Sequence, residues 1–234
     1  MTPAGPMEGP MHMTGPKAGP LTGPLVIGLD EAGVRSIAAG IGGHLLVQPA
    51  VNGHSTDWRW ADALETWRDD AIDGPTAAAI VVALMPGVVD PTPHDQIDID
   101  SWVARCELIL ARWIAALGVA QRRCVDGGVI VAVVDRAAPL DCAGRSTETA
   151  VSDAVEALIR SLARSEGPRG VRVNLVTTPS RVTTGPVVDP RPPLAGFPGS
   201  IDGDVIPTCR MLLSPDATAL TGSILHVDAG RSWR

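Results

Sequence analysis

Along the chain, apolar positions alternate between two kinds of segment, and the alternation predicts strand, helix, strand in repeating order. Residues 25–29 form a short apolar run, 33–41 suit a helix and 45–48 a second strand, which together read as a βαβ unit. Over 60–72, Trp60, Leu64, Trp67 and Ala71 fall on one helical face. The run 77–85 is Ala- and Val-rich without alternation, as expected of a strand buried on both faces of a parallel sheet, and Pro86-Gly87 ends it. The longest periodic segment is 100–121, where Trp102, Cys106, Ile109, Trp113 and Leu117 recur at helical spacing. A second fully apolar strand follows at 129–134, then a helix at 146–164, a third such strand at 171–176, a Pro- and Gly-rich loop at 177–203, a helix at 205–213 and a strand at 224–227. Apolar strands alternating with long helices predict one α/β domain: a Rossmann-type, doubly wound parallel sheet with helices on both faces.

Composition narrows this picture. A chain of 234 residues, 45% hydrophobic, suits one packed domain rather than two. Residues 1–24 repeat Gly-Pro with little bulk between, so they cannot bury a core. The expected division is a disordered tail at 1–24 and a single domain at 25–234. A net charge of −7 with scattered basic residues argues against a nucleic-acid partner. No apolar run is long enough for a membrane span and no signal-peptide pattern opens the chain, so a cytoplasmic location is expected. Cys106, Cys124, Cys142 and Cys209 lack paired metal spacing and read as reduced thiols, and no metal site is expected. Asp95, Asp98 and Asp100, just before the long helix, read as charge complements to its N-terminus rather than as metal ligands.

The second half, 102–230, resembles the short-chain dehydrogenase/reductase family. The resemblance rests on GVIVAVVD at 128–135, ALIRSLARSEGPRGVRVNLVTTPSRV at 157–182 and LLSPDATALTGSILHVDAG at 212–230. Within these, Arg172, Val173, Asn174, Pro179, Thr221, Gly222, Asp228 and Gly230 match the family's pattern, while Ser180 and Ala229 replace two of its glycines. The resemblance implies the fold. It also implies a catalytic Ser, Tyr and Lys, and those are missing: counting without gaps lands on Asp135, Glu148 and Ser152, and the chain has no tyrosine. The family's Tyr is the general acid/base at the carbinol oxygen, with Lys lowering its pKa, and Glu148 does not replace that chemistry. The helix-interrupting Asn that the family carries on its long helix would fall near 109–111.

The family's nucleotide loop fails separately. Gly28 matches its first glycine, but Ala32 and Val34 stand where the second and third belong, and Asp30 and Glu31 place carboxylates where pyrophosphate should lie. Gln48-Pro49 offers no ribose ligand after the second strand, the run 83–87 keeps only Gly87 of the family's Asn-Asn-Ala-Gly, and the first half is short enough to put its third strand in doubt. No cofactor is therefore expected on this chain.

In the family, the long helix and the helix bearing Tyr and Lys pair with their counterparts in a second subunit. The matching faces here contain Trp102, Trp113, Val151, Val155, Leu158 and Leu162, which makes them the expected interface. Size and double loss resemble the inactive partners of mixed reductase complexes, such as those of aminocoumarin antibiotic biosynthesis, where an inactive and an active subunit form a heterotetramer that oxidises a β-hydroxytyrosyl group on a carrier protein. The resemblance implies a non-catalytic subunit supporting an active NAD(P)-dependent paralogue that acts on a β-hydroxy or β-keto acyl substrate, carrier-bound or free. Two alternatives stand beside it. One is a cofactor-independent cyclase, dehydratase or lyase using Asp135 and Glu148 in the vacated cleft. The other is a binding module for an anionic ligand, if Arg145, Arg181 and Arg191 converge there and 190–198 do not fill the space.

Overall fold

The computed structural model describes residues 19–183, 185–187 and 189–233. Six strands, β1 (Leu25–Gly28), β2 (His44–Val47), β3 (Ala77–Ala83), β4 (Cys124–Asp135), β5 (Arg172–Thr178) and β6 (Ile224–His226), form one parallel sheet in the order β2-β1-β3-β4-β5-β6. The doubly wound order with three strands in its first half would place another strand outside β2. Here β2 is the edge, so the doubted third strand is absent among the described residues. The chain instead runs from β2 through an irregular segment into α2 (Arg59–Ile72), which packs on the long helix through Trp60, Leu64, Val103 and Leu108.

Both sheet faces are covered, which explains why the central strands lack polar alternation. Ile27, Ile80, Ile130 and Leu175 face the long helices α4 (Leu108–Arg123) and α5 (Ser146–Glu166). Val26, Val81, Val131 and Val176 face α1 (Ala32–Ile41) and α6 (Ile206–Leu213). The segment predicted as one helix at 100–121 begins as α3 (Ile99–Trp102), passes through a π-helical turn at Val103–Glu107 and continues as α4. The interruption therefore lies before 109–111, and it carries Arg105. Single π turns in long helices recur at functional sites.

Most of the expected tail lies outside the described residues. Of its last six, Leu21 donates its backbone N–H to the Thr76 carbonyl at 2.8 Å and packs its side chain on the core, so this end belongs to the domain. Among the described residues, no helix is long and apolar enough to cross a membrane.

Candidate functional site

In an open parallel sheet, ligands bind at the carboxyl ends of the strands where the strand order reverses. That point lies between β1 and β3. The turn from β1 into α1 is three residues long, so Val34 comes down directly over the strand end and is wholly buried in the core. A Cβ on Gly28 would lie 2.4 Å from the Ala83 carbonyl oxygen and 2.7 Å from Val34 Cγ1, so Gly28 is required by packing against its neighbours. One turn on, a Cβ on Gly33 would lie 3.3 Å from Met85 Sδ and 3.9 Å from both Arg181 Cδ and Ile201 Cγ1. The N-cap position of α1 is Glu31, whose side chain makes no cap, and Asp30 is paired with Arg35. A fold of this kind implies a dinucleotide in this cradle, but the residues present do not fit one. The side chain of Val34 takes the place over the strand end, and the carboxylates of Asp30 and Glu31 stand beside the N-terminus of α1, where pyrophosphate needs bare backbone N–H groups.

The adenosine end is also altered. Gln48 is buried, its Nε2 donates to the Arg112 carbonyl at 2.9 Å, and its Oε1 accepts from Arg112 Nη1 at 3.3 Å. Arg112 further donates to the Pro49 and Val51 carbonyls, so the chain leaving β2 is tied to α4. Burial pushes the Arg112 guanidinium's pKa down. A buried Arg within an apolar helix pattern was the available sequence signal for this tie, and pattern reading passed over it.

On the other side of β3, a cavity of about 120 Å³ opens beside the ends of β3 and β4, between the long helix and α5. Asp135 and Glu148, expected together, both line it, and Arg105, Trp113, Arg145 and Val151 complete its side. Arg181 spans the crevice: Nη1 donates to Asp135 Oδ2 at 3.0 Å and Nη2 to the Pro86 carbonyl at 2.8 Å. Asp135 Oδ1 is buried and has no partner among the described residues. Burial pushes the Asp135 carboxyl up to about 6, against the pull of Arg181 and then of Arg145. Glu148 is differently placed, because Oε1 accepts from Arg105 Nη2 at 2.7 Å and Oε2 from Thr147 Oγ1 at 2.9 Å. Arg105 itself also donates to Thr92 Oγ1 at 2.9 Å. Both oxygens of Glu148 therefore already have donors, Oε1 two from Arg105 and Oε2 one from Thr147. Ser152 does not line the cavity; its hydroxyl donates to the Thr149 carbonyl within α5. Arg105 and Trp113 were missed as cavity groups by the sequence reading, because a helical period shows which face is apolar but not where a π turn re-aims one side chain.

Three of the six expected interface residues require correction. Trp113, Val151 and Val155 belong to the chain's own core, at 0%, 5% and 0% exposure, because they face the sheet and the cavity. Trp102, Leu158 and Leu162 are partly buried and pack against the same core. The exposed apolar residue of α4 is Ile114, at 57%. Of the three arginines considered for an anionic ligand, Arg145 and Arg181 converge near Asp135, whereas Arg191 lies in the 190–198 loop away from the cavity. That loop is held to the chain's end, where the buried Arg231 pairs with Asp141 at 2.8 Å, bonds the Pro190 carbonyl and stacks over Phe197. Asp98 accepts from the Ser101 backbone N–H and caps α3, and Asp100 accepts from Ser55; these bonds hold both carboxyls below the usual range.

The residues that carried the family resemblance turn out to join β5 to β6. Asn174 Nδ2 donates to the Leu220 carbonyl at 2.8 Å and its Oδ1 accepts from the Ser223 N–H at 3.1 Å. Thr221 Oγ1 accepts from the Val173 N–H, and Gly222 turns the chain at φ +68°. Asp228 accepts from the Gly230 and Ser232 backbones.

No family model and no curated protein matches the sequence. Solved structures do match. A doubly substituted short-chain dehydrogenase/reductase of Serratia marcescens aligns at a TM-score of 0.66 with 21% identity, over 89% of this chain and 96% of that one. The 3-ketoacyl-(acyl-carrier-protein) reductase of Brucella melitensis, solved with NADH, gives 0.65 and 16%, over 90% and 98%. A dehydrogenase/reductase of Sinorhizobium meliloti gives 0.60 and 23%, over 88% and 84%. At these identities the likeness concerns the backbone, and the chain has the fold of the short-chain dehydrogenase/reductases.

Proposed function

We propose that this chain is a non-catalytic subunit that assembles with an active, NAD(P)-dependent paralogue of the same fold. The observation that carries the reading is the altered cradle, in which Val34 packs over Gly28 at the end of β1. Core packing of Val34 at this point supports the absence of a dinucleotide site, and the β5–β6 network supports retention of the fold. The outer faces of α4 and α5, with Ile114, Leu158 and Leu162, supply the apolar surface for assembly. The substrate class belongs to the partner, and a β-hydroxy or β-keto acyl group, carrier-protein-bound or free, is the proposed one. Mixed complexes of antibiotic biosynthesis remain the nearest analogy.

The test is cofactor binding and carbinol oxidation by the chain alone, and again after co-expression with a neighbouring dehydrogenase-like gene product. Dinucleotide binding only in a stoichiometric complex, with assembly lost in Ile114→Glu, supports the reading; dinucleotide binding by the isolated chain defeats it.

A second reading, a cofactor-independent cyclase, dehydratase or lyase, is favoured by one feature: the carboxyl of Asp135 pushed up to about 6 beside a cavity. Turnover of a hydroxyacyl substrate by the isolated chain without dinucleotide, lost in Asp135→Asn, would select it.

A further inference from the structure

The cavity beside β3 and β4 has a charge and hydrogen-bond inventory that the chain itself does not close. Arg105 is paired with Glu148, and Arg181 with Asp135. Arg145 is the remaining cation. It is 2% exposed, and among the described residues its guanidinium has one hydrogen bond, from Nη1 to the Val89 carbonyl at 3.1 Å, and no carboxylate within salt-bridge distance. Asp135 feels the charge of Arg145 but is bonded by Arg181, so Arg145 has no carboxylate in direct contact, and buried guanidiniums are ordinarily bonded to one. Two residues that line the same cavity each carry a buried polar atom without a partner among the described residues. Trp113 Nε1, on a wholly buried side chain, has no acceptor, and Asp135 Oδ1 has no donor. The rest of the wall is apolar, formed by Leu84, Val88, Val89, Ile109, Val134 and Val151.

We infer that this cavity binds a short aliphatic hydroxy acid, its carboxylate on Arg145 and the Trp113 N–H, its alkyl part on the apolar wall, and its hydroxyl donating to Asp135 Oδ1. Each partner answers one of the open groups: an anion for the unpaired cation, an acceptor for the indole, a donor for the free carboxylate oxygen. Size sets the chain length, because a cavity of roughly 150 Å³ accommodates benzene, and the present one of about 120 Å³ therefore suits five or six heavy atoms. The binding needs no dinucleotide and no partner subunit, so it goes beyond the proposed assembly role. Dinucleotide binding by the isolated chain would end that role, whereas the acid site fails only on its own measurement.

The experiment is a ligand-detected NMR titration of the full chain, without dinucleotide, using lactate, propionate and propionamide. A charge-assisted bond to the guanidinium predicts that propionate binds about tenfold or more tightly than the isosteric propionamide, and the hydroxyl of lactate adds a further few-fold. Arg145→Gln should erase the preference for the acid over the amide. Should that variant not fold, Val151→Phe, which fills the cavity without touching a charge, decides instead, and loss of propionate binding supports the site. Equal binding of acid and amide, no binding of either, or propionate binding retained in Val151→Phe would overturn the inference.

Discussion

Replacing Asp135 by Asn should make the protein more stable near neutral pH and remove a pH dependence that the wild type carries. The carboxyl sits at the end of β4 with one oxygen on Arg181 and the other without a partner, and burial raises its pKa from 3.8 to about 6. The folded state therefore holds the proton more tightly than the unfolded chain. Between those two values the native form binds more protons, so stability is highest below about pH 4, falls as pH rises, and levels off above about pH 6. A rise from 3.8 to about 6 corresponds to roughly 3 kcal/mol between the two ends of that window. Asparagine carries no such penalty, and its carbonyl can still accept from Arg181 Nη1. The value of about 6 already includes the attraction of Arg181 and Arg145, so removing the charge is expected to stabilise by up to about 3 kcal/mol at neutral pH. The assay is urea unfolding of both proteins from about pH 4 to about pH 7, read as the difference between them. Carboxyls held low by their bonds, such as Asp98 and Asp100, lose stability in the opposite direction as pH falls, but they are common to both proteins and cancel. Parallel stability curves for Asp135→Asn and wild type across this range would show that burial does not raise the Asp135 carboxyl.

Other positions give equally direct expectations. Gly28→Ala should destabilise by about 1–3 kcal/mol through overpacking, since its Cβ would meet the Ala83 carbonyl oxygen at 2.4 Å; thermal unfolding reads this out. Ala229, which stands at a family glycine position, has φ +55°, so Ala229→Gly should leave stability unchanged or raise it by up to about 1 kcal/mol, and a loss would show that its methyl packs usefully. Cys106, Cys124 and Cys209 are buried and burial pushes their thiols up, Cys124 to about 11 and Cys209 to about 12. A disulfide reagent at about pH 8 should therefore titrate Cys142 promptly and the other three only after unfolding.

How much of this was legible depended on the kind of force involved. The sheet and its helices were readable because burial on both faces writes itself as uninterrupted apolar runs, and each predicted strand from 25–29 to 224–227 overlaps an observed one. Helix 146–164 extends only to Glu166. The edges were less readable: the route from β2 to α2 is fixed by Arg112 reaching two backbone carbonyls and the Gln48 side chain, which in turn donates to the Arg112 carbonyl, and such long-range polar ties leave no period in the sequence. Interface residues were misread for a related reason. A helical face that is apolar by spacing can meet the sheet, a cavity or a partner, and Trp113, Val151 and Val155 meet the first two.

The site divides along the same line. Its losses were legible, since a missing tyrosine or a Val at a glycine position needs no coordinates. What replaced them was not, because the new arrangement is made of arginines whose partners are distant in sequence: Arg181 with Asp135, Arg105 with Glu148, Arg145 with Val89. Three guanidiniums against two carboxylates leave one positive charge in a largely apolar enclosure. A cleft merely decaying after loss of catalysis would be expected to fill with hydrophobic side chains, since an unpaired buried charge costs stability at no benefit. The β1–α1 half of the crevice is packed in this way, around Val34 and Met85, while the Asp135 half has a cavity, a cation and two polar atoms without partners among the described residues. The contrast between two neighbouring halves of one crevice, sharing the same strands, argues that the second half is kept open by a ligand rather than by neglect.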